Sequence, residues 1–214
     1  MTAVYGGWDV PADFDVCGSL CPHVRELGEA WLRVPFQAFP NLTSVTFSWV
    51  YVDHLMLLSR HCTGLQRFAL SPSFYEDMFD EDSSDAACMA AMRSLANLQH
   101  LTHLELAPRT DFGLMGYLSA AAAVGTPRLR YLGVKGPLSG FGLMQLLSMH
   151  GLEELSVHLT TVMPSSRLKV WVRGLWAWQW LPKVSLLLCS QEQVDVVGSA
   201  RQWAAHADCP CRLC

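Results

Sequence analysis

At 214 residues, with 51% hydrophobic and 16% charged side chains, the chain has enough apolar material for a sizeable core and too much to be disordered along its length. Its net charge of -4 comes with no long basic run, which argues against a general nucleic-acid binder. No stretch reaches the roughly 18 uncharged apolar residues that span a bilayer: Phe112 to Gly125 is too short, and Val170 to Leu188 is interrupted by Arg173 and Lys183.

The opening residues, MTAVYGGWDVPADFD, place no basic residue ahead of an apolar core, so no secretory signal is expected. Residues 1–19 read as an N-terminal arm or partial cap. The sequon Asn41-Leu42-Thr43 then has no glycan to carry. Eight cysteines without a paired framework fit reduced thiols inside a cell, in cytoplasm or nucleus.

From residue 20 to 189 one spacing recurs: an apolar residue, two others, an apolar residue, one other, an apolar residue. It occurs as Leu42, Val45, Phe47; Leu65, Phe68, Leu70; Leu101, Leu104, Leu106; Leu129, Leu132, Val134; Leu152, Leu155, Val157; and, more weakly, Leu181, Val184, Leu186. The leading positions are 23, 36, 28, 23 and 29 residues apart, a range that signals a stack of one short strand and one helix per repeat. Alternation at the end of each copy suits a strand with one buried face. Between them, helical spacing appears at Leu55 and Leu58, at Leu114, Met115 and Leu118, and at Leu143, Leu146 and Leu147. The tetrapeptide FGLM, present at 112–115 and 141–144, reads as the opening turn of one such helix in two successive repeats. His61-Cys62 closes the helix before Leu65, where the dipole favours a histidine.

The gap of 36 holds an acidic insertion at about 75–87, with Glu76, Asp77, Asp80, Glu81, Asp82 and Asp85. It reads either as a solvated loop or as a contact for a basic partner; a calcium loop lacks its turning glycine. Further on, Trp171, Trp176, Trp178 and Trp180 crowd one segment. The last three alternate, so a strand there would put them on one face, covering the open end of the stack. Residues 190–206 read as a capping helix, with Ser190 and Gln193 at capping-box spacing and Val194, Val197 and Ala204 as its buried stripe. The tail at 207–214 brings His206, Cys209, Cys211 and Cys214 close in sequence, donors that suit zinc but lie too tightly packed at a chain end for a paired knuckle.

The run TDFGLMGYLSAAAAVGTPRLRYLGV, with CPHVREL at 21–27 and HCTGLQRFAL at 61–70, resembles the cysteine-containing leucine-rich repeats of F-box proteins. The resemblance implies an α/β solenoid, with a curved parallel sheet on the concave side and helices on the convex side. It further implies a surface that selects a protein target, in the F-box proteins for a ubiquitin ligase. No F-box is seen: the first 40 residues lack its Leu-Pro start followed by Val-Cys and Trp. The HExxH, GxSxG and P-loop motifs are also absent, and SGFGLM lacks the third glycine of a dinucleotide site.

With this register, three rows point into the concave face. They are Ser44, Arg67, His103, Tyr131, Glu154, Lys183; then Thr46, Ala69, Glu105, Gly133, Ser156, Ser185; then Ser48, Ser71, Ala107, Lys135, His158, Leu187. Six strands make a floor about 25 Å long, which suits a peptide or protein better than a metabolite. The expectation is therefore a non-enzymatic module without cofactor, binding another protein or peptide rather than nucleic acid or membrane. Its contacts are Arg67, His103, Glu105, Tyr131, Lys135, Glu154, His158 and Lys183. The competing readings are the recognition part of an F-box-type ligase and a metal or thiol enzyme using the cysteine tail.

Overall fold

A computed structural model of the chain describes residues 3–5, 22–30, 36–47, 52–70, 85–107, 116–121, 128–136, 138, 142, 145–146, 149, 151–160, 164–177, 183–188, 190, 194–195, 197 and 212–213. Among them nine strands form one sheet: β1 (Ala3–Tyr5), β2 (Glu26–Ala30), β3 (Ser44–Phe47), β4 (Arg67–Leu70), β5 (His103–Leu106), β6 (Tyr131–Gly136), β7 (Glu154–Leu159), β8 (Lys183–Leu187) and β9 (Arg212–Leu213). Every strand pairs in parallel with the next in chain order, from β1 to β9. Parallel neighbours require a crossover between them. Helices α1 (Val52–His61), α2 (Asp85–Leu95) and α3 (Ser165–Ala177) lie in the connections after β3, β4 and β7. The chain is thus α/β, a parallel sheet with helices, and its strand order is compatible with a stack of repeats.

The recurring apolar spacing becomes the interior. Leu42, Leu65, Leu101, Leu129 and Leu152 are all buried, one ahead of each strand from β3 to β7. The first apolar strand position stacks as Val45, Phe68, Leu104, Leu132, Leu155 and Val184, the second as Phe47, Leu70, Leu106, Val134 and Val157. Burying each such side chain contributes about 1.5–3 kcal/mol, so the column is the chief source of stability. Phe36, in a 3-10 turn at Phe36–Ala38, meets Phe47 edge-on at 6.1 Å, and Phe47 meets Phe68 at 6.0 Å.

Backbone hydrogen bonds hold the repeats in step. One carbonyl ahead of each strand from β2 to β6 accepts two N–H groups from the next repeat: Arg25 from Thr43 and Ser44, Thr43 from Gln66 and Arg67, Gln66 from Thr102 and His103. The series continues as Thr102 from Arg130 and Tyr131, and Arg130 from Glu153 and Glu154, all between 2.7 and 3.0 Å. The Thr43 and Thr102 hydroxyls add a third donor to the carbonyls of Arg25 and Gln66, each at 3.1 Å.

Helix α1 buries Val52, Leu55 and Leu58 and ends at His61, with Cys62 folded beneath it. The Cys62 sulfur faces the carbonyl oxygens of Phe36 and Phe39 at 4.0 and 3.8 Å. Helix α2 packs beside α1. It begins at Asp85, inside the span read as acidic insertion, because DAACMAAM is rich in the best helix former. Residues 116–121 are helical and follow the first FGLM, which itself lies outside the described residues; of the second copy only Gly142 is described, and it is helical. Gly116 allows a close approach there: a Cβ on it would stand 2.7 Å from the carbonyl oxygen of Met89 on α2.

The tryptophan segment differs from the strand expected for it. Trp171 and Trp176 lie on α3, whose buried residues Leu168, Trp171, Val172 and Leu175 follow the i, i+3, i+4, i+7 spacing of a helix face. Trp178 and Trp180 fall outside the described residues. Of the expected capping helix, Ser190, Val194, Asp195 and Val197 are described, and the Val194 N–H donates to the Ser190 carbonyl at 3.2 Å, one helical turn back. Arg212 and Leu213, read from sequence as tail, pair with Lys183 and Val184 as β9, and Ala3–Tyr5, read as arm, pairs with β2.

Candidate interaction face

The faces of the sheet divide by side-chain alternation. In β3, β5 and β7 the residues between the buried positions are exposed or half-buried. Strand pairing lines them up in rows. The first runs Glu26, Ser44, Arg67, His103, Tyr131, Glu154, Lys183, Arg212 across eight strands. The second runs Thr46, Ala69, Glu105, Gly133, Ser156, Ser185. Of the third, Lys135, His158 and Leu187 are aligned; Ser48 and Ser71 lie outside the described residues. Apart from Glu105, the second row is small side chains between two rows of larger ones, which leaves a shallow trough across the strands.

Side chains of the first two rows interlock. The His103 and Tyr131 rings stack with centroids 5.8 Å apart and planes inclined by 25°. Thr102 fixes the histidine from the strand entrance, its hydroxyl 2.8 Å from Nδ1. Tyr131 leans along its own strand, across the trough, over Gly133: a Cβ on that glycine would stand 3.0 Å from the tyrosine hydroxyl, 3.3 Å from its Cε1 and 3.1 Å from Cγ of Glu105. The hydroxyl reaches the side chain of Ser156. A methyl group at 133 would make the ring give by a few tenths of an ångström.

Charges flank the aromatic pair in a fixed order. On one side Arg67 crosses to Glu105 at 3.6 Å, with the two side chains 56% and 35% exposed. On the other, Lys183 meets its direct neighbour Glu154 at 2.7 Å. Along the first row the order from β4 to β8 is cation, imidazole, phenol, carboxylate, cation, with the Glu105 carboxylate in the second row on the same strand as His103. Burial pushes the Tyr131 phenol above its ordinary pKa, and the carboxylates of Glu105 and Glu154 push it further, against the Ser156 hydrogen bond and the Arg67 cation. In the third row, burial first and Lys135 second hold the His158 imidazole below its ordinary pKa, favouring the neutral ring.

The eight residues expected as contacts therefore divide. Arg67, His103, Glu105, Tyr131, Glu154 and Lys183 lie together in the first two rows, while Lys135 and His158 are adjacent in the third. Sequence reasoning missed Thr102 and the exposed pair Arg130 and Glu153, 3.5 Å apart. Both features sit one residue before the first row, and that offset is the signal that could have found them. Of the acidic insertion, Glu76, Asp77, Asp80, Glu81 and Asp82 lie outside the described residues, and Asp85 is the first residue of α2. His206, Cys209, Cys211 and Cys214 also lie outside them. Among the described residues no three His, Cys, Asp or Glu side chains are grouped to hold a metal ion. No described helix is long and apolar enough to cross a membrane. No protein-family model matches the chain, and no curated protein matches it.

Proposed function

We propose that the chain is a non-enzymatic interaction module of leucine-rich-repeat type, binding a protein or peptide partner on the open face of its sheet. In this reading strands, spaced more closely than the helices behind them, line the inside of a curved array, so the aligned rows form its concave surface. The observation that carries the reading is the first row itself. A register fixed by backbone brings Arg67, His103, Tyr131, Glu154 and Lys183 side by side on the side of the sheet away from the core. Arginine and tyrosine are the residue types that most often dominate binding energy at interfaces. A shallow trough also fits a chain segment better than a metabolite, which takes a deep pocket.

The test is affinity capture with the wild type beside the triple variant Arg67→Ala, His103→Ala, Tyr131→Ala. A partner retained by the first and lost by the second, with thermal unfolding of both intact, is the expected result. Identical captures by the two proteins would refute the reading.

A further inference from the structure

We propose that the centre of this face takes an arginine side chain of the partner, its guanidinium laid on the Tyr131 ring between the carboxylates of Glu105 and Glu154. The assignment rests on the interaction reading above and names the chemistry of its partner.

Three features on the sheet lead to it. Tyr131 lies down across the trough over Gly133, so its ring is a platform rather than a post, and the stacked His103 extends it. A flat ring attracts a cation through its quadrupole, and arginine, planar and weakly hydrated, stacks better than the compact ammonium of lysine. Carboxylates then stand on both sides of the platform, on β5 and β7. Both act at the tyrosine hydroxyl in the direction of negative potential. The Arg67 cation already beside Glu105 is half exposed at 3.6 Å, a contact of the kind that holds weakly in water and yields to a better-placed partner. A bidentate guanidinium is such a partner.

The outer cations add a second requirement. Arg67 on β4 and Lys183 on β8 lie two strands on either side of β6, about 10 Å from the platform at the usual strand spacing. They repel bare positive charge and attract acidic groups. An extended segment advances about 3.3 Å per residue and turns successive side chains to opposite sides, so acidic side chains two residues before and after the arginine share its face and reach toward them. The occupant is thus a segment with an arginine at its centre and an acidic residue two positions away on each side, running across the strands.

The probe is the acetylated, amidated peptide Glu-Gly-Arg-Gly-Glu, titrated into the full chain and followed by NMR. The expected result is saturable shifts at His103, Glu105, Tyr131 and Glu154 at roughly millimolar peptide, the range for one exposed side-chain site. Replacing the arginine by citrulline, which keeps the shape and removes the charge, is expected to weaken binding about tenfold. Glu105→Gln with Glu154→Gln is expected to do the same while thermal unfolding of the variant stays intact, which separates loss of the charges from loss of the fold. Absence of shifts up to about 10 mM, or equal binding of the citrulline peptide, overturns the assignment. Should capture distinguish wild type from the triple variant while the peptide stays silent, the arginine site falls and the interaction face stands.

Discussion

Substituting Gly133→Ala separates the binding face from the fold. A methyl group at 133 starts 3.0 Å from the Tyr131 hydroxyl and 3.1 Å from Cγ of Glu105, where carbon contacts normally settle near 3.5–4.0 Å. The obstructing atoms belong to two surface side chains, so the tyrosine ring and Glu105 give by a few tenths of an ångström and the backbone stays put. Losing the hydroxyl contact with Ser156 costs about 1 kcal/mol. Alanine in place of glycine inside a strand returns about 0.5–1 kcal/mol of backbone entropy. The two nearly cancel, and the expected shift in melting temperature is within about 3 °C for a chain of this size. The ring, however, is shifted from its seat over residue 133, so partner capture and the arginine-peptide titration are both expected to weaken, and the phenol to titrate closer to its ordinary pKa. The assay is thermal unfolding by circular dichroism run beside both binding measurements. Destabilisation beyond about 2 kcal/mol would mean that the ring has nowhere to go, and undiminished binding would mean that its posture is irrelevant; either refutes the reasoning.

Gly116→Ala gives the opposite balance, because there the obstructing atom is the backbone oxygen of Met89 at 2.7 Å and two helices must separate. Overpacking of about 1–3 kcal/mol exceeds the helix-propensity gain of about 1 kcal/mol, so the urea midpoint is expected to fall. Burial pushes the Cys62 thiol up to about 12, which leaves almost no thiolate near neutral pH. Peptide mapping after iodoacetamide treatment is expected to show Cys62 unmodified in the folded chain and modified in urea; rapid labelling of the native protein would contradict its placement. His158, held below its ordinary pKa, contributes stability that is complete above about pH 6.5, the unfolded value, and is lost as pH falls from there toward the folded value. His158→Gln is expected to flatten that part of the stability–pH curve, measured as urea midpoints on either side of pH 6.5, while leaving the neutral-pH midpoint nearly unchanged.

Much of the sheet was legible because the spacing of Leu65, Phe68 and Leu70 and its counterparts combines a strand's alternation with a repeat period, and few other folds produce both. Strand β2 escaped for a physical reason. Its register against β3 shifts between Leu27 and Ala30, so the series Val24, Leu27, Ala30 carries one extra residue and breaks the pattern. Strands β1 and β9 have three and two residues, too few for any periodicity to show. At the tryptophans Leu168, Trp171, Val172 and Leu175 already spelled the helix face that carries Trp176 past the point where a strand would have begun, and Trp178 and Trp180 lie outside the described residues. The rows of the face followed from the register alone. What passes between them did not: that Arg67 crosses to Glu105 and that Tyr131 lies over Gly133 depends on side-chain directions, which spacing does not encode.

The carbonyls of Arg25, Thr43, Gln66, Thr102 and Arg130 each grip the next repeat through main-chain N–H groups. Since main-chain donors are common to every residue but proline, the alignment of the strands does not depend on which side chains stand at 44, 67, 103, 131, 154 and 183. Those six positions are consequently free to vary while the frame beneath them holds still. A descendant of this chain could exchange its whole recognition vocabulary, one letter at a time, without passing through an unfolded ancestor.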